Sequence, residues 1–168
     1  MSALDELALR VDSREQQLEV LEQLLGERRL SEAETLSGRP VLHGYVSSPF
    51  GRRVHPLTGR TSVHKGIDFA AKPGSDVVSV AAGVVTFSGR KNGYGNTVEI
   101  SHADGYVTLY AHNQSNTVQI GDLVQRGQVI AKVGRSGRST GYHVHFEVSK
   151  DGRQVNPALY IARANGVE

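Results

Sequence analysis

From Val41 onward the chain shows no helical periodicity and alternates short apolar runs with glycine-rich turns. Strands at this spacing without intervening helices favour an antiparallel sheet. We therefore predict a mainly β fold, an antiparallel β-sandwich or barrel-like domain, over residues 41–168. The predicted strands are VVSVAAGVVTFSG (77–89), NTVEISH (96–102), YVTLYAH (106–112), QVIAKVG (128–134) and YHVHFEVS (142–149).

Residues 1–40 have a different character and are predicted to form a separate N-terminal helical segment. A heptad-like seam of about three repeats predicts a helix over residues 3–25 that ends at Gly26. A capping-box pattern at Ser31 to Glu34 predicts a second short helix, ended by Gly38 and Pro40. The first helix fits both packing on its own domain and pairing as a coiled coil, possibilities that its sequence leaves open. Its seam consists of Leu4, Leu7, Val11, Leu18, Leu21 and Leu25, with Arg14 at one core position.

The two segments carry opposite charge. Residues 1–38 have a net charge of −5 and the remainder has +7, which favours an anionic partner for the body of the protein. Because the body has no basic run with interleaved aromatic residues and no helix that could read a groove, we do not expect nucleic acid. An anionic polymer of another kind is as plausible.

Cysteine is absent, which excludes disulfides, thiolate metal sites and cysteine nucleophiles. The sequence contains neither an apolar run of transmembrane length nor a signal-peptide pattern. We therefore expect that any signal or membrane anchor would lie upstream of Met1.

Four of the seven histidines lie in motifs that suggest metal chemistry. In HKGID, His64 and Asp68 are four residues apart, and in an extended segment they share a face. In HVH, His143 and His145 alternate along a strand and also share a face, opposite apolar neighbours that would enter the core. His112 ends the strand VTLYAH and by itself suggests only an exposed strand-end residue. Two histidines and one aspartate can hold a tetrahedral Zn²⁺ with one position left for water, and the remaining histidines could act on that water.

The stretches HKGIDFA, YAH and GYHVHFEV, in this order and spacing, resemble the LytM/lysostaphin-type zinc endopeptidases of peptidoglycan over residues 41–160. The resemblance implies a groove-bearing β domain that hydrolyses peptide cross-links and binds one Zn²⁺ per chain. It implies that His64, Asp68 and His145 are the metal ligands and that His112 and His143 are catalytic. One departure is Tyr142, where the family often has proline before the histidine pair.

Three residues are candidates for contacting the stem peptides of the substrate: His55, Tyr142 and Asn96. His43 and His102 are predicted to be surface residues. The layout resembles envelope proteins of Gram-negative bacteria, which favours a D,D-endopeptidase in the periplasm or cell envelope.

Two matters stay open at this level. The alternative function is an inactive LytM-like regulator that activates another hydrolase, although such regulators usually lack metal ligands and this chain retains them. The N-terminal segment could form a homodimer, contact a regulatory partner, space the domain from a membrane anchor, or cover the groove.

Overall fold

The computed structural model describes residues 3–54 and 58–161, with side chains described at 10–11, 14–27, 35–54 and 58–161, and these residues contain thirteen strands, two α-helices and one 3₁₀ turn (Ala103–Gly105). This mainly β architecture confirms the predicted fold class. The helices are α1 (Ala3–Glu34) and α2 (Ala158–Ile161). The strands are β1 (Tyr45–Ser48), β2 (Gly51–Val54), β3 (Thr61–His64), β4 (Ile67–Ala70), β5 (Asp76–Val78), β6 (Gly83–Lys91), β7 (Gly95–Ser101), β8 (Tyr106–Asn113), β9 (Ser115–Asn116), β10 (Leu123–Val124), β11 (Val129–Lys132), β12 (His143–Lys150) and β13 (Arg153–Val155).

The predictions that the first helix ends at Gly26 and that a second helix opens at Ser31 are wrong, because α1 runs without interruption from Ala3 to Glu34. Glycine inside a helix costs about 1 kcal/mol relative to alanine, which good helix formers on both sides can offset. The amide of Gln23 also donates to the carboxylate of Glu27 across this turn, at 3.3 Å. No helix among the described residues is long and apolar enough to cross a membrane.

Residue contacts divide the chain into two compact units, Met1–Ala33 and Glu34–Glu168. In the second unit Leu36 is only 3% exposed, and the Ser37 N–H donates to the Val80 carbonyl. The segment before residue 40 therefore already contributes to the β core, and the predicted domain boundary at 40 stays a prediction.

The main sheet has eight strands and is antiparallel throughout, in the order β1-β4-β12-β8-β7-β6-β10, with β13 pairing beside β4 on β12. The other described strands form a separate three-stranded sheet, β5-β11-β9, and the hairpin β2-β3. Val144, Phe146 and Val148 of β12 are at most 1% exposed and lie in the core with apolar residues of both larger sheets. One face of β12 is thereby committed to the core, which leaves the alternate residues of this central strand for the opposite face.

His102 is buried, so its predicted place on the surface is wrong, whereas His43 is exposed as predicted. The Nδ1–H of His102 donates to the Ala82 carbonyl at 2.7 Å, and Nε2 lies 2.7 Å from the Thr108 hydroxyl. The same hydroxyl lies 3.1 Å from the hydroxyl of the fully buried Tyr110. A neutral His102 is therefore an internal hydrogen-bonding residue of the sheet. Burial lowers its pKa, and the bond to Ala82 offsets this only in part.

This environment predicts a contribution of His102 to acid sensitivity. As the pH falls through about 6.5, the unfolded ring takes up a proton that the folded ring resists, so the free energy of unfolding decreases. Urea unfolding in the presence of a chelator, at about pH 7.5 and about pH 5.5, should show a smaller decrease in His102→Gln than in the natural protein. The exposed control His43→Gln should keep the natural decrease. An equal decrease in His102→Gln and the natural protein would contradict the assignment.

Candidate active site

The pairing of β4 with β12 places Asp68 directly opposite His145. Directly opposed residues of an antiparallel pair project from the same face, so the carboxylate and the imidazole meet. The distance between Asp68 Oδ1 and His145 Nδ1 is 2.7 Å. His64, the last residue of β3, brings its Nε2 to 3.1 Å from Asp68 Oδ1 and to 3.1 Å from His145 Nδ1. Three buried side chains from three strands therefore converge through one atom each.

The outward-facing nitrogens of the two rings fix which nitrogen of each ring carries a proton. His64 Nδ1 lies 2.7 Å from the Pro49 carbonyl, which can only accept. His145 Nε2 lies 2.9 Å from the Glu147 carboxylate, also an acceptor. In the neutral rings, His64 Nε2 and His145 Nδ1 are therefore unprotonated, and both face the carboxylate oxygen of Asp68. Three lone pairs point at one another.

Such a donor set fits a divalent metal ion. The separations of 2.7 to 3.1 Å are near the edge of about 3.3 Å for a tetrahedron with ligands about 2.0 Å from its centre. Burial lowers the pKa of His145, but its hydrogen bonds with Asp68 and Glu147 more than offset this, so the net pKa is raised. The surroundings therefore favour positive charge at this point, which a metal ion would supply.

Arg53 on β2 contacts one of the two Asp68 oxygens and leaves the other to the histidines. Its Nη1 lies 3.1 Å from Oδ2, while Oδ1 faces the two histidines. Burial alone would raise the pKa of Asp68, but the hydrogen bonds with His145 and His64 lower it well below its usual range. The carboxylate is therefore ionised and presents one oxygen to the cluster.

Glu147 supports His145 in the way that Arg53 supports Asp68. Its Oε1 accepts from His145 Nε2–H and from the Tyr94 hydroxyl, each at 2.9 Å, and its Oε2 accepts from the Gln154 amide at 2.7 Å. Burial alone would raise the pKa of Glu147, but the hydrogen bond from His145 lowers it. Burial and the nearby Glu147 carboxylate raise the pKa of Tyr94. Glu147 is not among the predicted site residues, although it follows His143 and His145 on the same face of one strand.

His112 reaches the site through an unusual backbone. Ala111 pairs with His145 and Tyr110 with Phe146, so regular alternation would turn His112 toward the core. His112 instead has φ of 62°, a left-handed conformation that side chains other than glycine seldom adopt. Its ring centroid lies 4.8 Å from that of His143 and 6.0 Å from that of His145. The backbone turn thus brings this strand-end residue to the same face as the HVH pair, and at 8% exposed it is buried, unlike the exposed position that the YAH motif suggests by itself.

His112 and His143 are held in the same way. His112 Nδ1–H donates to the Ser136 carbonyl at 2.8 Å, and His143 Nδ1–H donates to the Gly141 carbonyl at 2.9 Å. Each neutral ring therefore keeps Nε2 as its unprotonated nitrogen, and His143 Nε2 lies 3.8 Å from Asp68 Oδ1. Burial lowers the pKa of His112 to about 4, so this ring is neutral near pH 7.

The five residues line an open cleft of about 1040 Å³. Tyr142 also lines it, half-exposed, with the Arg135 guanidinium 5.8 Å from its ring. Asn96 is not among the described lining residues, and its amide donates to the backbone carbonyls of residues 113 and 114. His55 lies outside the described residues.

Comparison with known families identifies the chain. Residues 62–157, more than half of the sequence, match the family described as Peptidase family M23. The chain belongs to peptidase family M23. The predicted likeness to LytM-type peptidases is thereby confirmed.

Relatives of this M23 chain include cell-wall enzymes. The DD-carboxypeptidase/endopeptidase Mpg of Neisseria meningitidis is 47% identical over 130 residues, which are 77% of this chain and 30% of Mpg. The peptidoglycan DD-endopeptidase ShyC of Vibrio cholerae is 41% identical over 113 residues, which are 67% of this chain and 26% of ShyC. The chain therefore spans less than a third of the length of these relatives.

Solved structures agree with the M23 assignment. A zinc-containing peptidase from Vibrio cholerae is 38% identical, with a TM-score of 0.66 over 74% of this chain and 39% of that one. The catalytic domain of lysostaphin from Staphylococcus simulans is 27% identical, with a TM-score of 0.64 over 70% of this chain and 91% of that one.

The position of Glu147 predicts an effect on metal affinity in this M23 domain. Removing the carboxylate in Glu147→Ala should weaken Zn²⁺ binding about 10- to 100-fold, because His145 loses the acceptor that fixes its tautomer. Glu147→Gln should recover most of the affinity, since its carbonyl can still accept from His145. Competition with a chromogenic chelator measures the affinity. Asp76→Asn, an exposed acid paired with Lys132, is the matched control. Natural affinity in Glu147→Ala would refute this role.

Proposed function

We propose that this chain is a zinc-dependent endopeptidase that hydrolyses peptide cross-links of bacterial peptidoglycan. The observation that carries the proposal is the convergence of three metal-ligand atoms and two further histidines in one open cleft. Membership of peptidase family M23 and the printed functions of Mpg and ShyC support the reaction and the substrate.

His64, Asp68 and His145 would hold one Zn²⁺, for which imidazole and carboxylate are suitable ligands in a chain without cysteine. When bound, zinc lowers the pKa of water to about 7 and polarises the scissile carbonyl. Pro49, Glu147 and Arg53 keep the three side chains oriented with their lone pairs inward. The outer contacts therefore prepare the ligand set before an ion arrives.

His112 and His143 would move the protons. Each is anchored to a backbone carbonyl through Nδ1–H and keeps Nε2 available. One ring accepts the proton of the attacking water and returns it to the leaving nitrogen. The other, when protonated, donates a hydrogen bond to the charge that develops on the carbonyl oxygen.

The scissile bond is proposed to be a D,D cross-link, as the printed names of ShyC and Mpg favour. A substrate of this kind implies action in the periplasm or cell envelope. An alternative, the inactive regulator, would bind no metal or would fail to cleave.

The two histidines of HVH should separate in function. His145→Ala should lose both zinc and activity. His143→Ala should retain zinc and lose activity about 10²- to 10⁴-fold, the usual contribution of a proton-transfer group. Metal analysis and digestion of defined cross-linked muropeptides measure the two properties, with the exposed His43→Ala as control. If His143→Ala loses zinc, or cleaves the muropeptides at the natural rate, the assignment of separate roles to the two histidines is refuted.

The N-terminal helix is proposed to pair with a second copy as a coiled coil. Val11, Leu18, Leu21 and Leu25 recur at heptad spacing and are each about half exposed. Leu18→Glu combined with Leu21→Glu should convert a dimer to a monomer by light scattering, because charge enters the seam. Val20→Glu, an exposed position outside the seam, should leave the mass unchanged. A natural protein that is monomeric at high concentration would exclude this pairing.

A further inference from the structure

The segment from Ser136 to Ser139 holds both histidines proposed to transfer protons. The Ser136 carbonyl accepts from His112 Nδ1–H at 2.8 Å, and the Ser139 hydroxyl lies 3.2 Å from His143 Nδ1. Arg138 lies between these two attachment points and lines the cleft. Its guanidinium group is therefore carried by the same stretch of backbone that positions the reacting rings.

This stretch is fixed by its own backbone contacts. The Arg138 N–H donates to the Gly93 carbonyl at 2.9 Å, and the Asn96 N–H donates to the Ser136 hydroxyl at 2.9 Å. Gly137 and Gly95 approach so closely that a side chain at Gly137 would overlap the backbone of Gly95. The base of the Arg138 side chain therefore has a defined position in the cleft wall.

The charge on this wall is positive and available. Arg138 also lines a second cavity of about 700 Å³ beside the cleft, together with Arg90 and Lys91. Arg138 is exposed and makes no ion pair with any described residue, whereas Lys91 pairs with Glu99. An exposed cation without a partner can accept an anionic group of a ligand.

The described acidic residues of the cleft do not compete for that charge. They are Asp68 and Glu147, each 7% exposed. The two Asp68 oxygens face the histidine cluster and Arg53, and the two Glu147 oxygens accept from His145 and Gln154. Their charge is thus used inside the site, and the free charge toward the cleft is that of the cations.

We propose that Arg138, flanked by Arg90, binds a free carboxylate that the substrate peptide carries beside the scissile bond, and that it makes the chain selective for cross-links with such a carboxylate. The planar guanidinium can bind a carboxylate through two parallel hydrogen bonds. A bridge of glycine residues offers no such group, so the subsite distinguishes two classes of peptidoglycan cross-link. The inference rests on the proposed function and specifies the substrate of the same site.

The test compares two cross-linked peptides that differ only in whether the carboxylate beside the scissile bond is free or amidated. The natural protein should cleave the free form with a kcat/KM about 10- to 100-fold higher. Arg138→Gln should lose most of this preference by slowing cleavage of the free form far more than that of the amidated form. Arg138→Lys should keep a part of it, because the charge remains without the planar fork. Arg153→Gln, an exposed arginine of β13 that lines neither cavity, should keep the whole preference.

Equilibrium binding of both peptides to the full chain under chelation separates this inference from the proposed function. If the natural protein binds the free form more tightly and Arg138→Gln abolishes this difference, the subsite is supported. This holds even if neither peptide is cleaved, and absence of cleavage would refute only the proposed endopeptidase activity. If the natural protein cleaves the two peptides with equal kcat/KM and binds them with equal affinity, the proposed subsite is overturned. An equal loss on both peptides in Arg138→Gln would overturn it as well, since that result assigns Arg138 to the structure of the loop.

Discussion

The site depends on one physical constraint, the meeting of a carboxylate oxygen and two imidazole nitrogens in a buried place. Asp68 Oδ1, His64 Nε2 and His145 Nδ1 lie within 3.1 Å of one another. Lone pairs at such distances repel unless a proton or a metal cation lies among them. The cross-strand register of β4 and β12 enforces the approach, and the packed core behind β12 prevents the strand from relaxing. The register and the core packing thus hold these atoms at distances that are stable only when a positive charge lies among them.

The supporting contacts extend this constraint outward. Each ligand has an outer partner that sets which atom faces inward: the Pro49 carbonyl for His64, Glu147 for His145 and Arg53 for Asp68. Removing a partner would leave the ligand in place but free to rotate or to carry its proton on the wrong nitrogen. Orientation of the ligands is therefore a property of a network that reaches from the β2-β3 hairpin to β13.

Much of this could be predicted from alternation along strands. The face shared by His143 and His145 and the core face of Phe146 follow from a period of two, and the observed burial agrees. Alternation fails at His112, because the sequence gives no sign of a left-handed backbone at a residue other than glycine. It also misses the burial of His102, whose polar partners come from elsewhere in the chain. The single helix through Gly26 shows the same limit, since flanking helix formers outweigh one glycine.

The backbone of His112 has a consequence for how the domain can be improved. A left-handed residue with a side chain costs roughly 1 kcal/mol or more, and glycine would relieve that cost. The imidazole that the proposed chemistry needs is therefore held at a position where another residue would suit the fold better. Selection of variants for heat resistance alone would favour losing this ring early. Directed evolution of a more durable protein from this scaffold must therefore screen for the proposed hydrolysis in every round.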